Sequence, residues 1–356
     1  VVYYVDSRPF QYPGGDGGNI TLNGIGGIAI SGTVTTYGGI EYLSNYIGSY
    51  PGSVTVNTNN VSTTGYFGQT AATTFYAGNF IKKGTGIFEI YSLTFGGRSL
   101  ANDSVYNAYD TVYAGTLKLM AANALTTIGG VSKFADLYVT GGTAAGGGIF
   151  DLGGFNQTVG TISGDGTITS SSGTPTLSLS YNNNKKTTLI STFSGLLTGS
   201  LALYKDYTQN TNSNYQVNIL NLSNTNTYSG LTTIRQGVIR ITNANALGAT
   251  AAATTILNTG TLEIQGGIQI AEPLNIRGKG DKADAFNPTL YPAYKGAVAS
   301  NSGKSILNAP IILDSAAQIS SFGSSTSDSL YLTSLATIDL KNYTLSFGGS
   351  RGGRFD

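Results

Sequence analysis

The 356-residue chain contains no cysteine, no histidine and no tryptophan. Without cysteine there is no disulfide and no thiol nucleophile. Without cysteine and histidine the usual zinc ligands are missing, and so is the commonest general base near neutral pH. Charge is scarce as well: 10% of residues are Asp, Glu, Lys or Arg, against about a quarter in typical globular domains. The 19 Lys and Arg nearly cancel the 18 Asp and Glu, which removes any electrostatic case for nucleic acid or an anionic membrane. No apolar run approaches the roughly 18–20 residues that a membrane helix needs. The chain opens on Val1 with no signal-peptide pattern, so it reads as a processed segment or a fragment.

What is present is glycine, at 50 residues, with much Ser, Thr and Asn, and a hydrophobic share of 40%. That share is too high for a disordered low-complexity segment, so a core is expected among many turns. The composition suits large extracellular proteins of bacteria or viruses better than cytosolic enzymes.

Helical periodicity is hard to find. A three-residue unit, apolar-charged-apolar, recurs instead as Phe88-Glu89-Ile90, Leu117-Lys118-Leu119, Phe150-Asp151-Leu152, Ile239-Arg240-Ile241, Leu262-Glu263-Ile264 and Ile338-Asp339-Leu340. Neutral versions include Leu137-Tyr138-Val139, Leu177-Ser178-Leu179, Val217-Asn218-Ile219 and Leu274-Asn275-Ile276. Strand side chains alternate faces, so each unit predicts a short strand with one dry and one wet face. The central charge changes sign between copies, which reads as a solvent-facing surface mark. Glycines flank the units and close them with turns. Hairpin dipeptides are few: Asp16-Gly17, Asn23-Gly24 and Asp165-Gly166.

A longer echo overlies the unit. "YNAYDTVYAGTLKLMAANAL" (Tyr106–Leu125) lies over Tyr228–Leu247 at a constant offset of 122. It matches at Tyr106/Tyr228, Thr111/Thr233, Gly115/Gly237, Ala122/Ala244, Asn123/Asn245, Ala124/Ala246 and Leu125/Leu247. Such repeats cannot each close a core, so copies must stack. The expected fold is all-β, a right-handed parallel β-solenoid (β-helix) with Gly/Asn/Ser-rich turns, which supplies parallel crossovers without helices.

The second copy, "NTYSGLTTIRQGVIRITNANALG", resembles the autotransporter-associated β-strand repeat, also called the passenger-associated transport repeat. The matching positions are Asn226, Tyr228, Gly230, Thr232, Ile234, Gly237, Ile239, Ile241, Asn245, Ala246, Leu247 and Gly248. The likeness covers about residues 80–349. It implies a secreted, adhesin-like β-solenoid surface protein whose repeats build a stalk and carry no catalytic residues. The first copy departs from the pattern, ending Leu125-Thr126 in place of Leu-Gly.

The expected organisation is a Tyr-rich cap or assembly region at 1–79, repeats at 80–349 and a tail at 350–356. The copies fall near 80–180 and 200–349, with an inserted loop at 281–294. Twelve of the 23 tyrosines fall in residues 1–110, including Tyr3, Tyr4, Tyr37, Tyr42, Tyr46 and Tyr50; flat amphipathic rings suit an intersubunit surface. The loop, "DKADAFNPTLYPAY", carries Pro288, Pro292, Phe286, Tyr291 and Tyr294. It is a candidate contact with a neighbouring subunit or a sugar ring.

Other chemistry is weighed and set aside. "GGDGGNITL" (Gly14–Leu22) approaches a calcium nonapeptide, but Asn19 and Thr21 break it and it does not recur. "SGKS" (Ser302–Ser305) lacks the glycine a phosphate loop needs, having Val298 there and Gly296 misplaced. Asp103 with Asp110, and Asp281 with Asp284, are carboxylate pairs read as loop-surface pairs and not as glycosidase acids. No catalytic, cofactor-binding or metal residue is assigned. The expected function is a non-enzymatic, extracellular stalk or filament subunit of a bacterial surface, associating end to end. The alternatives are a glycan- or host-binding adhesin or phage tail-fibre module, and a β-helical polysaccharide lyase or hydrolase.

Overall fold

A computed structural model of the protein describes residues 20–24, 29–30, 32–35, 53–58, 65–67, 73–76, 79–95, 109–127, 135–142, 147–183, 189–209, 218–281, 294–323, 325, 327–350 and 354–355. Every regular element among them is a β-strand. The chain divides into two compact units, Val1–Pro175 and Thr176–Asp356.

In the first unit the chain visits three sheets in turn and then repeats the circuit one strand further on. One sheet runs Ile20–Gly24, Ser53–Thr58, Asn79–Lys83, Tyr109–Val112, Asp136–Val139, Ile162–Gly164, each parallel to the next. The second runs Ala29–Ile30, Gly65–Phe67, Ile87–Ile90, Gly115–Leu119, Gly148–Asp151, Thr167–Thr169. The third runs Gly32–Thr35, Thr73–Tyr76, Leu93–Phe95, Leu125–Thr127. One circuit is a rung. Its register puts Phe88, Leu117, Phe150 and Ile168 in one column, and all four are fully buried. Each such side chain contributes on the order of 1.5–3 kcal/mol of burial that a single rung could not secure.

The second unit follows the same plan with longer strands. Thr232–Ile241, Thr254–Gln265 and Ile311–Phe322 each serve two positions of the rung. They turn at irregularities in register, such as that between Ile234 and Gln236. Two columns fill the interior, Ile234–Ile256–Ile276–Leu313 and Ile239–Leu262–Val298–Ile319, all fully buried. A further sheet joins Gln269–Ile270, Lys304–Leu307, Ser329–Leu332 and Arg354–Phe355. Strands therefore stack in parallel instead of crossing back through hairpins, and Leu117 and Ile239 sit in the columns the alternation predicts.

The motif residues are spent on this stacking. The Asn226 side chain accepts from the Leu197 amide (2.9 Å) and donates to the Ala246 carbonyl (2.7 Å), tying three rungs together. Tyr228 is fully buried, its hydroxyl bonded to that of Thr232. Ala246 and Leu247 are buried, like Ala124 and Leu125 of the first copy.

Two expectations need correction. The central charges are not all surface marks: Asp339 is exposed and Glu89, Lys118 and Arg240 are half-buried, but Asp151 and Glu263 are buried. One Asp151 oxygen accepts from the amides of Gly153 and Ser171, which compensates its burial. The alternating sign has its own cause, since Glu89, Lys118 and Asp151 are in-register neighbours, as are Arg240 and Glu263. The rung pattern also does not begin at residue 80. It already includes Ile20–Gly24 and Ser53–Thr58. Tyr3, Tyr4, Tyr37, Tyr42, Tyr46 and Tyr50 lie outside the described residues.

Candidate functional site

The densest chemistry in the second unit surrounds Glu263. Leu262 and Ile264 point into the core, so alternation turns Glu263 outward, yet it is buried because other chain segments cover it. Arg240, one rung earlier, donates Nε to Glu263 Oε1 at 2.6 Å. Asn301 Nδ2 reaches the same oxygen at 3.0 Å, and Lys295 Nζ reaches Oε2 at 3.1 Å. Asn301 is the extra residue at a register shift, where Ile264 faces Ser300 and Gln265 faces Ser302; such a bulge re-aims a side chain. Burial works against the Glu263 carboxylate, but the charges and hydrogen bonds of Lys295 and Arg240 prevail and hold its pKa below the usual range.

Lys295 stands at the return foot of the excursion after Asp281. The two feet are joined by Lys295 N–H donating to the Asp281 carbonyl (3.0 Å) and Gly296 N–H donating to that of Lys279 (2.7 Å). Asp281 N–H also donates to Thr261 Oγ1, which donates to the Gly296 carbonyl. Asp281 is buried too, and its charge acts on Lys205. Both feet thus engage a buried opposite charge belonging to an earlier rung.

Lys205 has a counterpart in the first unit. Lys82 pairs in register with Val112 and Lys205 with Ile234, positions the 122-residue echo superposes. Both lysines are buried at the corner beneath the repeated glycine. Lys82 Nζ donates to the carbonyls of Lys83 (2.7 Å), Gly84 (2.8 Å) and Ala114 (3.1 Å). Lys205 Nζ donates to that of Asp206 (3.1 Å). Burial pushes each pKa down to about 8, and for Lys205 the charges of Asp281 and Asp206 oppose the fall. Gly115 and Gly237 turn the corner at φ of 64° and 82°. The physical role is clear: a positive-φ corner directs carbonyls toward the core, and an inward ammonium supplies donors for them.

Sequence reading passed over these lysines. The signal was the alternation, which puts Lys82 on the same face as Phe80 and Lys205 on the same face as Leu203. A second buried acid, Glu272, accepts from Thr254 Oγ1 (2.9 Å), and burial raises its pKa to about 7 against that bond.

The carboxylate pairs are not brought together as surface pairs. Asp110 is buried within the strand Tyr109–Val112, Asp281 is buried at the loop foot, and Asp103 and Asp284 lie outside the described residues. Of the calcium-like stretch, Ile20–Leu22 is strand and Gly14–Asn19 lies outside the described residues. Gly303 and Lys304 are structural: Gly303 N–H donates to Asp328 Oδ1 (2.7 Å), and Lys304 sits over the Tyr331 ring at 4.8 Å. Among the described residues no three His, Cys, Asp or Glu side chains converge, and no helix is long and apolar enough to cross a membrane. No family model, curated protein or solved structure matches the chain.

Proposed function

We propose that the chain is a right-handed β-solenoid serving as a non-enzymatic structural element of a bacterial surface. On this reading it is an extracellular, adhesin-like stalk or filament subunit that associates end to end. The observation that carries it is the use of the repeat: Asn226, Tyr228, Thr232, Gly237, Ala246 and Leu247 all serve rung-to-rung stacking. Negative-stain imaging of concentrated protein should show threads or rods of indefinite length. Compact monomers at every concentration would remove the filament.

One observation favours a second reading, recognition of a surface glycan through the excursion at 281–294. Its base is clamped by the Glu263 cluster and by Asp281, and loops on a rigid scaffold are suited to binding. Deleting residues 282–293 should abolish any glycan-array signal of the full chain; a signal that survives deletion excludes the loop.

A further inference from the structure

The Glu263 cluster brings together an amine, a carboxamide and a carboxylate that touches both. Lys295 Nζ donates to Glu263 Oε2 at 3.1 Å, and Asn301 Nδ2 donates to Glu263 Oε1 at 3.0 Å. An ionised carboxylate only accepts, so the nitrogen end of the Asn301 side chain is the end that faces it. A nucleophile and a leaving nitrogen therefore sit on the two oxygens of one carboxyl group. Those oxygens are spaced much as two nitrogens are when both are bonded to a single tetrahedral carbon.

The surroundings suit amide exchange. Lys295 and Glu263 are buried, which keeps water from competing with the amine, while Asn301 is half-buried and gives ammonia a way out. Arg240 Nε, 2.6 Å from Oε1, fixes the carboxyl group in place. The carboxamide is there because of the register shift: Glu263 itself pairs with Ala299, and the extra residue, Asn301, is re-aimed toward it. Lys82 makes the contrast. Its Nζ donates to backbone carbonyls, which cannot take a proton from it, whereas a carboxylate can.

We propose that the folded chain joins Lys295 Nζ to Asn301 Cγ in an amide bond, with Glu263 as the proton relay. Glu263 first takes a proton from the Lys295 ammonium, which frees the amine to attack Cγ. As the Cγ–Nδ2 bond breaks, a second proton leaves Nζ, and Nδ2 collects both through the carboxyl group and departs as ammonium. One ammonium enters and one leaves, so atoms and charge balance without a co-reactant. Burial penalises both charges of the Lys295–Glu263 pair, so the transfer that neutralises them is easier here than in water. Arg240 holds the carboxylate ionised and keeps the reaction slow, but one turnover per chain suffices, and a held geometry makes the step unimolecular. The product ties the return foot of the excursion to the strand Val298–Ser302 and leaves Arg240 paired with Glu263.

Mass spectrometry of the full chain, aged in mildly alkaline buffer, reads the bond directly. The intact protein should be lighter than its sequence by one ammonia. Trypsin should fail to cut after Lys295, so that residues 283–304 appear as one internally bridged peptide. Lys295→Arg keeps a cation on Glu263 and should retain the full sequence mass, as should Asn301→Ala. Glu263→Gln should slow the loss by about a hundredfold or more; if that variant does not fold, Lys295→Arg carries the test. A succinimide at Asn301 also sheds ammonia but leaves Lys295 open to trypsin, and finding it in place of the bridged peptide would overturn the bond. Full mass in the aged wild-type chain, or equal ammonia loss from Lys295→Arg, would overturn it as well.

Discussion

The corner at Lys82 and Gly115 and the corner at Lys205 and Gly237 answer one problem in two ways. In the first unit the ammonium is held by three backbone carbonyls, and the chain breaks into Tyr109–Val112 and Gly115–Leu119. In the second a single strand, Thr232–Ile241, runs through the corner, and the lysine donates to the Asp206 carbonyl with the charges of Asp281 and Asp206 around it. The backbone device is the same, but its electrical partner has been handed to a side chain. That side chain belongs to the foot of the excursion. A rung can thus host an insertion without loosening its core, because the insertion's first residue takes over part of the corner's electrostatics and its last described residues cover Glu263.

The comparison breaks most sharply at Glu263. Removing it leaves the buried Lys295 and the half-buried Arg240 without their counter-charge, a class of change that costs about 3–5 kcal/mol. The corresponding column of the first unit holds Lys118, the echo partner of Arg240, half-buried between Glu89 and Asp151, where a charge contributes about 1 kcal/mol or less. Denaturant unfolding of Glu263→Ala and Lys118→Ala should separate the two by several-fold in lost stability. Equal losses would mean that the cover over Glu263 does not persist in solution.

Next in size is a pH effect that should be shared. Each buried lysine has a folded-state pKa of about 8 against an ordinary 10.5. Between those values the unfolded chain holds a proton that the folded chain has released, so stability rises with pH across that window and is flat on either side. One such group contributes about 3 kcal/mol over the full window. Tyrosines titrate nearby, so the readout is a difference: wild-type stability minus that of Lys82→Met, and minus that of Lys205→Met, at pH 7, 9 and 10.5. Both differences should climb. A climb for one alone would show that the two corners are not the same device.

The columns were legible in the sequence because alternation is local. Leu117 and Leu119, or Ile239 and Ile241, declare their shared face within three residues. The repeated Gly115 and Gly237 were legible as turns for the same reason. Glu263 was not, because its burial depends on Lys295 and Asn301, which lie in the next rung beyond an excursion, and Asn301 reaches it only through a shift in register. Asp110 and Asp281 were misread as surface residues because their sequence neighbours are polar, whereas what covers them comes from segments distant in sequence, such as Thr261 beside Asp281 and the strands of Phe80 and Leu137 beside Asp110. Lys82 and Lys205 sat in view on the inward alternation, and residue type argued against position; the glycine corner above each supplies the missing reason.

The smallest expected effect dissects the corner itself. Alanine at a positive φ costs about 1–2 kcal/mol from backbone strain alone. Gly266, at φ 90° with open space around its would-be Cβ, isolates that cost. At Gly237 a Cβ would lie 2.9 Å from the Asn218 carbonyl oxygen and 3.2 Å from Lys205 Nζ, the far end of a flexible side chain. At Gly115 it would lie 2.5 Å from the carbonyl oxygens of both Gly84 and Gly86, backbone that Lys82 helps to hold in place. Thermal unfolding should therefore rank the losses Gly115→Ala above Gly237→Ala above Gly266→Ala. The reverse order for the first two would place the tighter corner in the second unit, and with it the greater share of rigidity around the excursion.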